Sequence, residues 1–406
     1  MTTYSHEFLK AIPKTDLHVH LDGSLRVSTI IEIAKAQKIT LPSYDEEALR
    51  SLVFKDRYAN LREYLQGFQY TVAVMQTPEA LERVAYELAL DNFAEGVRYI
   101  EPRFAPQLHA NAAMSAGDVL ASVNRGLERA RREINARSEI SGGDEPAFEY
   151  GIIGCAMRMF TGEFPGYYRR LVEIHPDMPE EEMHELASLD LVRALVKARD
   201  EHGIPIAGFD LAGAERGHPA EVHRQAYDLA LKHFLKKTVH AGEDYGPASI
   251  FQAITDCHAD RIGHGTHVFD AALVDLPDEK ERSRYVRALW QYIADRRITI
   301  EVCLTSNLQT MPQLKSIKDH PFAHMLEKNL SVTFCTDNRL VSHTSVTGEI
   351  DLAVSNFTIA PRDLKDLIIY GFKRSFFPGD YLEKREYVRK VIDYYEEMEK
   401  KHGITG

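Results

Sequence analysis

Eight short segments rich in β-branched or apolar residues recur along this chain, and helical patterns separate them. They are KTDLHVH (14–20), VRYIEPRF (97–104), YGIIGCAMR (150–158), IPIAGFDLAG (204–213), KTVHAGE (237–243), ADRIGHG (259–265), ITIEVCLTSN (298–307) and SVTFCTDN (331–338). Strands that alternate with helices favour parallel pairing through right-handed crossovers. Eight such units in 406 residues predict an α/β fold, a closed (β/α)8 TIM barrel rather than an open sheet.

The interval between the first two segments, residues 26 to 97, is too long for one helix and is interpreted as several. It includes NLREYLQGFQYTVAVM (60–75), and we predict a helical insertion at about residues 40–80 near the barrel mouth. An extra packing layer is an equally good interpretation of that stretch. Polar stretches at 136–147 and 175–185 resemble surface loops, so residues 1–406 are predicted to form a single barrel domain.

Charge and cysteine content exclude several classes of protein. A net charge of −12, from 49 basic and 61 acidic residues, argues against nucleic-acid binding, which needs cations to neutralise phosphates. The four cysteines are widely spaced, so neither a disulfide framework nor a thiolate zinc site is indicated. The N-terminus lacks the apolar run of a signal peptide and no stretch is long enough to span a bilayer, so we expect a cytoplasmic location without membranes.

The first segment places polar residues on alternate positions. In a strand, Asp16, His18, His20 and Asp22 would share one face, while the intervening apolar residues occupy the other. A polar face on a buried strand requires a functional reason. The loop-forming DGS follows, so both imidazoles lie near the carboxyl end of the strand, which is the active-site face of such a barrel.

Later strands end in similar residues, namely His240, His264 and Asp337. Four histidines and a carboxylate would then converge on one mouth. Imidazole nitrogen and carboxylate oxygen suit Zn²⁺ or a similar divalent metal, and a site with one open position is the catalytic arrangement. The fourth segment, AGFDLAGAER, offers no lysine that could bridge two metals, so one ion per chain is predicted, although Asp210 or Glu215 could alter that count.

Other residues near the mouth have two interpretations. Glu243, shielded from water beside a metal, could be a proton donor with a raised pKa, or it could orient a ligand histidine. His264 could be a fourth nitrogen ligand or a base. Asn338 could bind a heterocycle edge or stabilise a turn. Three cysteines are assigned to the core and four histidines to surface or loop positions: Cys155, Cys303, Cys335, His267, His320, His324 and His343.

Taken in order, PKTDLHVHLDGSL, FDLAGAE, HAGE, RIGHG, SN and TDN resemble the motifs of the adenosine deaminase family of the amidohydrolase superfamily. The resemblance covers nearly the whole chain and implies the (β/α)8 barrel. It implies a zinc-dependent hydrolytic deaminase that converts adenosine or 2′-deoxyadenosine to inosine or deoxyinosine plus ammonia. The motifs imply one zinc ion bound by His18, His20, His240 and Asp337.

The resemblance also implies roles for individual residues. Glu243 would protonate N1 of the purine, and His264, assisted by Asp337, would orient or deprotonate the attacking water. The implied substrate contacts are Asp22 to the ribose, the Gly213 backbone to N3, Asn338 to N7, and His20. Many members of the family have TDDP and LAGDE where this chain has TDNR and LAGAE. These departures mark a branch of the family.

Because branches of the family differ in substrate, related 6-aminopurines are alternative substrates: adenine, 6-aminodeoxyfutalosine, and N6-substituted or phosphorylated adenosines. Asp22 favours a sugar-bearing substrate. Arg103 and Arg158 could meet an anionic tail or form ion pairs that close the barrel. A metal-dependent hydrolase of an amide, lactone or phosphoester, and a catalytically silent nucleoside-binding protein, are the competing hypotheses. The partner is expected to be a small purine nucleoside, and the sequence leaves the oligomeric state open.

Overall fold

Nine strands form one parallel sheet in the computed structural model, which describes residues 4–404. The strands are β1 (Lys14–His20), β2 (Val97–Phe104), β3 (Glu149–Tyr150), β4 (Ile152–Met157), β5 (Ile206–Ala212), β6 (Lys236–Ala241), β7 (Arg261–His264), β8 (Thr299–Val302) and β9 (Ser331–Phe334). The order is β1-β2-β4-β5-β6-β7-β8-β9, and the short β3 pairs with β2 just ahead of β4. Apart from β3, each strand therefore neighbours the next one along the chain.

The first and last strands meet through the residues that follow β9. Val19 pairs with Asp337 in a parallel bridge. The backbone N–H of His20 donates to the carbonyl of Asp337 at 2.7 Å, and the N–H of Asp337 donates to the carbonyl of His18 at 2.7 Å. These bonds close the sheet, and the predicted (β/α)8 barrel is confirmed.

Helices surround the sheet on its outer face. They are α1 (His6–Ala11), α2 (Val27–Gln37), α3 (Glu46–Val53), α4 (Leu61–Leu65), α5 (Phe68–Val74), α6 (Pro78–Ala94), α7 (Pro106–His109), α8 (Ala116–Asn135), α9 (Ser138–Ser141), α10 (Gly166–Ile174), α11 (Glu180–His202), α12 (Arg224–Lys232), α13 (Pro247–Thr255), α14 (Glu279–Arg296), α15 (Leu304–Thr310), α16 (Phe322–Glu327), α17 (Val346–Asn356), α18 (Pro361–Arg374) and α19 (Tyr381–Lys401). The helices cover the outer face of the sheet, and its inner face is enclosed by the closed barrel, so both faces are buried as parallel sheets require.

Extra helices follow β1, as predicted for this fold class, and α6 shows how the local sequence delimits one of them. Thr77 caps α6 by accepting from the backbone N–H of Ala80, and Pro78 occupies the first turn, where its missing N–H costs nothing. After α6 the chain turns at Gly96 with φ +94°, where a Cβ would lie 2.3 Å from the Lys10 carbonyl. Only glycine fits that turn, which feeds the chain into β2.

Two segments differ from their predicted conformation. The predicted strand 298–307 ends at Val302, and Ser306 and Asn307 lie in α15. A short apolar run does not distinguish strand from helix by periodicity, which explains the error. Asp22 lies in a 3₁₀ turn, Leu21–Gly23, rather than on β1, so it does not share the face that carries His18.

The barrel interior is lined with paired charges instead of apolar layers. Arg103 on β2 donates to Asp210 on β5 and to Glu301 on β8, both at 3.0 Å. Arg261 on β7 donates to Glu301 at 2.7 Å and also to Glu101. All five side chains are fully buried, so these pairs satisfy charges that would otherwise lie unpaired in the interior.

The four cysteines are buried and free. None of the helices between residues 4 and 404 combines the length and apolar composition that crossing a bilayer requires.

Candidate active site

Three histidines and one carboxylate converge at the carboxyl ends of β1, β6 and β9. His18 Nε2 and His20 Nε2 each lie 3.4 Å from Asp337 Oδ1. His20 Nε2 also lies 3.0 Å from His240 Nε2. His264 joins them: one donor atom each from His18, His240, His264 and Asp337 lie within 4.8 Å of one another, and all four side chains are buried. The predicted convergence of strand-end residues is therefore present.

The chemistry of two histidines fits a metal site. His18 Nδ1 lies 2.8 Å from Glu301 Oε2, and His240 Nδ1 lies 3.1 Å from Asp210 Oδ2. A carboxylate at Nδ1 keeps the proton there and leaves the Nε2 lone pair free for a metal. His18 Nε2 is buried and has no hydrogen-bond partner among residues 4–404, which is costly unless another ligand occupies that position. These residues suit a divalent metal with nitrogen and oxygen ligands.

One guanidinium holds both supporting carboxylates. Arg103 donates to Asp210 Oδ2 and to Glu301 Oε2, the two oxygens that face His240 and His18. Burial would raise the pKa of Glu301, but Arg103 and Arg261 hold it well below its ordinary value. Glu301 therefore stays ionised and keeps the proton of His18 on Nδ1.

His264 carries its proton on Nε2, whereas His18 and His240 carry theirs on Nδ1. The backbone N–H of Phe322 donates to His320 Nδ1 at 3.1 Å, so neutral His320 carries its proton on Nε2, 3.2 Å from Asn307 Oδ1. The Asn307 amide then donates from Nδ2 to His264 Nδ1 at 3.2 Å. Neutral His264 must carry its proton on Nε2. This chain favours a hydrogen-bond donor at His264 Nε2 over a metal ligand.

Burial sets the protonation of three of the four histidines. It lowers the pKa of His20, of His240 and of His264, so these imidazoles are neutral near pH 7. Burial alone would raise the pKa of Asp337, but the surrounding histidines His18, His264 and His20 hold it below its usual range. Neutral imidazoles beside an ionised carboxylate are the forms that bind a metal.

Two of these residues have unusual backbone conformations. His264 has φ +64° and Asp337 has φ +61°, the left-handed region that non-glycine residues seldom adopt. Such strain persists where the surroundings impose it and is concentrated at functional sites. His264 is the last residue of β7 and Asp337 lies just after β9, so both occur at the barrel mouth.

Glu243 lies beside His264, with its Oε2 3.6 Å from His264 Nε2. Burial, followed by the charges of Asp337, Glu215 and Asp244, raises the pKa of Glu243 well above its ordinary value. A carboxyl with a raised pKa keeps its proton to higher pH than an ordinary glutamate, as a proton donor requires.

Glu215 holds the loop that carries Glu243. Its carboxylate accepts four consecutive backbone N–H groups at 2.7 to 3.0 Å and the Ser249 hydroxyl; the four belong to Gly242, Glu243, Asp244 and Tyr245. One buried carboxylate therefore fixes the whole turn after β6. Sequence reasoning considered Glu215 only for its effect on the metal count.

The predicted substrate contacts lie around the same mouth. Asp22 is buried, its pKa is raised to about 7 chiefly by burial, and its Oδ1 lacks a hydrogen-bond partner in the described chain. Gly213 has φ +104°, which turns the chain directly after β5 and favours glycine. Asn338 is buried beside Asp337.

A cleft of about 340 Å³ reaches Glu243 from outside. Its walls come from α4, the turns after β5, β6 and β7, and the end of α15; they include Leu61, Arg216, Asp244, Asp270 and Met311. Arg216 donates to the Asp244 carbonyl at 2.7 Å. The rim therefore carries two carboxylates and one arginine that is already engaged.

Two arginines that could have met an anionic substrate do not reach the cleft. Arg103 is fully buried and pairs with Asp210 and Glu301, as described above. Arg158 is buried and donates to the backbone carbonyls of His218, at 2.7 Å, and His240, at 2.5 Å. Their role is internal, so the anionic-tail interpretation is wrong.

Sequence reasoning missed several supporting residues. His320, assigned to a surface or loop, is buried and bonded to Asn307. Glu301 lies within a predicted strand, but its sequence context does not indicate that it contacts His18. Tyr64, from α4, contacts Asn338 across 274 residues. Strand-end position identifies a residue near the mouth, but no sequence pattern indicates which residues from other elements will contact it.

Comparisons with known proteins agree with this geometry. The family model described as adenosine deaminase matches residues 13–394. An adenosine deaminase from Mycobacterium avium is 37% identical over 391 residues, which covers 95% of this chain and 96% of that protein. One from Mycobacterium leprae is 37% identical over 383 residues, covering 94% and 95%.

Solved structures share the fold at low sequence identity. An amidohydrolase from Burkholderia ambifaria with bound Zn has a TM-score of 0.77 at 19% identity and covers 100% of this chain and 96% of that one. An adenine deaminase from Arthrobacter aurescens has a TM-score of 0.72 at 22% identity and covers 95% and 100%.

Proposed function

Because the chain belongs to the adenosine deaminase family and is a hydrolytic deaminase, we propose that it converts adenosine or 2′-deoxyadenosine to inosine or deoxyinosine plus ammonia. The observation that carries the proposal is the position of a buried carboxyl, Glu243, beside a cluster of metal-binding side chains. Glu243 lies 3.6 Å from His264, and His264 belongs to the same cluster as His18, His240 and Asp337. Such a site can activate water and protonate a ring nitrogen together.

The metal is proposed to be one zinc ion held by His18, His20, His240 and Asp337. When bound, it would supply a Lewis acid that makes water nucleophilic near neutral pH. The carboxylates of Glu301 and Asp210 keep His18 and His240 in the tautomer with a free Nε2. The single arginine that joins those carboxylates keeps them ionised and in place.

Glu243 transfers its proton to N1 of the purine, which withdraws electron density from C6. Water then adds its oxygen at C6, and the tetrahedral centre collapses as the C6–N6 bond breaks. One proton of the water leaves on ammonia, and the other restores Glu243. The proton first given by Glu243 remains on N1 of the 6-oxo product, so the reaction is balanced.

His264 positions the attacking oxygen. The chain from His320 through Asn307 fixes its proton on Nε2, which lies 3.6 Å from Glu243 Oε2 and can donate to the attacking water. Ser306 donates to Asp337 Oδ2 at 2.6 Å and so leaves Oδ1 directed at the histidines. In this role His264 orients the water and Asp337 assists, without a change of tautomer.

A nucleoside is favoured over free adenine and over a nucleotide. Asp22 Oδ1, which has no partner within residues 4–404, would accept from a sugar hydroxyl, a group that free adenine lacks. Asp244 and Asp270 line the cleft beside Glu243, and Arg216 is engaged by Asp244. A phosphate at this rim would meet more negative than positive charge.

Three further residues, His20, Gly213 and Asn338, are proposed to contact the substrate. His20 would line the purine site. The Gly213 backbone would contact N3 of the purine, and the Asn338 side chain would contact N7. Residues 1–406 are proposed to form one hydrolase domain with a helical insertion at about residues 40–80, located in the cytoplasm.

The test is ammonia release by zinc-loaded protein from matched concentrations of adenosine, 2′-deoxyadenosine, adenine, adenosine monophosphate and 6-aminodeoxyfutalosine. We expect fast turnover of the first two. Selective turnover of another substrate would contradict the proposed specificity. Binding of adenosine without ammonia release would contradict the proposed reaction.

A further inference from the structure

Tyr64 reaches the base-binding side of the mouth from a distant part of the chain. It lies in α4, is almost fully buried, and places its Oη 2.8 Å from Asn338 Nδ2 and 2.8 Å from Ser342 Oγ. Asn338 and Ser342 both belong to the loop that follows β9. The Tyr64 hydroxyl therefore links α4 to Asn338, the residue next to Asp337.

Several contacts fix Tyr64 in that position. The ring of Tyr58 packs edge-on against it, with centroids 5.1 Å apart. The backbone N–H of Tyr58 donates to the Gln309 carbonyl at 3.2 Å, and the Gln309 side chain donates to the Ser342 carbonyl at 3.4 Å. The tyrosine is thus held by α15 and by the loop after β9, and its hydroxyl has little freedom to move.

The other end of the Asn338 amide lacks a partner. Its Oδ1 is buried and makes no hydrogen bond within the described residues. It occupies the space beside Gly23 where a side chain would lie, since a Cβ on Gly23 would be 1.7 Å from Oδ1. Gly23 follows Asp22, whose Oδ1 is also unpaired in the described part of the chain. Two neighbouring side chains of the mouth therefore each have a buried polar atom without a partner in the described chain, which a ligand atom or a water can satisfy.

The hydrogen bonds that join Asn338, Tyr64 and Ser342 can run in either of two directions. As placed, Asn338 Nδ2 donates to Tyr64, Tyr64 donates to Ser342, and a carbonyl oxygen faces Gly23. In the reverse direction Ser342 donates to Tyr64, Tyr64 donates to the Asn338 carbonyl, and an N–H faces Gly23. A half-turn of the amide exchanges the two arrangements without changing its shape, because both hydroxyls can donate or accept.

Resting on the proposed function, we propose that Tyr64 is a positioning residue for base recognition, which with Ser342 holds the Asn338 amide so that its N–H faces N7 of the purine. N7 carries a lone pair and no hydrogen, so it pairs only with a donor and selects the reverse direction. An aspartate would offer N7 only acceptor oxygens unless protonated, whereas an asparagine offers a donor provided that a neighbour fixes its orientation. Tyr64 is that neighbour.

The probes are 1-deazaadenosine and 1,7-dideazaadenosine. Neither has a nitrogen at position 1 for Glu243 to protonate, so both stay intact, and they differ only at N7. Calorimetry on zinc-loaded protein gives their dissociation constants independently of turnover. In the wild type we expect the loss of N7 to weaken binding roughly tenfold, as for a buried hydrogen bond.

Tyr64→Phe removes the hydroxyl and keeps the ring, and the expected difference between the two probes then falls to within about twofold. Asn338→Ala should give the same small difference. Tyr58→Phe is the matched control: it removes a hydroxyl that accepts from the Lys55 N–H, in the same segment and against the same ring, so the wild-type difference should persist.

A Tyr64→Phe protein that keeps the wild-type ratio of dissociation constants would overturn the inference, even if both probes bound more weakly, because equal weakening indicates packing alone. A wild-type ratio near one would also overturn it. In wild-type protein, the side-chain amide NMR signals of Asn338 should shift with 1-deazaadenosine and not with the N7-lacking analogue; equal shifts would contradict the N7 contact. Ammonia release from adenosine tests the proposed function separately.

Discussion

Glu215 accepts the backbone N–H of Glu243 at 3.0 Å, so one buried carboxylate carries the residue that is proposed to protonate the substrate. The same carboxylate accepts from the three neighbouring N–H groups and from Ser249. A neutral amide would bring an N–H₂ against these donors. The position of Glu243 therefore depends on a charge that never touches the substrate.

Glu215→Gln should lower kcat by roughly 10- to 100-fold, because the turn carrying Glu243 loses charge-assisted hydrogen bonds of about 1.5–3 kcal/mol each. Steady-state kinetics on adenosine checks this, with Glu221→Gln as a control on an exposed glutamate. Wild-type kcat in Glu215→Gln would contradict the positioning role.

Arg103→Met should weaken zinc binding. The arginine joins the carboxylates that orient His18 and His240, and the loss of such supporting contacts costs about 10- to 100-fold in metal affinity. It should also destabilise the fold by about 3–5 kcal/mol, since Asp210 and Glu301 are left buried with less compensation. Chelator competition measures the affinity and urea unfolding the stability.

The control is Arg125→Met, which removes an exposed pair with Glu82 and should change stability by about 1 kcal/mol at most. Unaltered zinc affinity in Arg103→Met would show that the two histidines are oriented without the arginine.

The rate of deamination should fall on the alkaline side. Burial and nearby carboxylates raise the pKa of Glu243, so its proton is retained to higher pH than on an ordinary glutamate and is lost as the pH rises through that raised pKa. Glu243→Gln, which cannot give up a proton, should reduce kcat by about 10²- to 10⁴-fold. A pH profile of kcat/KM measures both effects.

Asp244→Asn should shift the pH dependence of kcat/KM in one definite direction. The charge of Asp244 contributes to the raised pKa of Glu243, so its removal should move the alkaline limb to lower pH. An alkaline limb that moves the other way, or a profile without one, would exclude Glu243 as the proton donor.

His320→Leu should reduce kcat about tenfold with little change in KM, because one hydrogen bond that fixes the proton on His264 Nε2 is lost. Imidazole ¹⁵N shifts of His264 report its tautomer directly. His324→Leu, at an exposed position of α16, is the matched control. An unchanged His264 tautomer in His320→Leu would show that Asn307 is oriented by other contacts.

The sequence predicted the residues at strand ends and missed those that support them. His18, His240, His264 and Asp337 follow from strand position alone, because the carboxyl ends of parallel strands meet at one mouth. The partners of these residues depend on the tertiary fold: Glu301 contacts His18 across 283 residues, in a pairing that no local pattern encodes. The predicted strand 298–307 failed for a local reason, since a short apolar run also suits a helix.

The seam between β1 and the end of β9 has a consequence for biosynthesis. The backbone atoms that close the barrel belong to His18, His20 and Asp337, and Thr336 donates to Asp16 across 320 residues. A nascent chain emerging from the ribosome carries the two histidines early, but the carboxylate that completes the donor set is translated last. The full set of donor side chains therefore assembles only when the final strand has been made, in the same late step that closes the barrel.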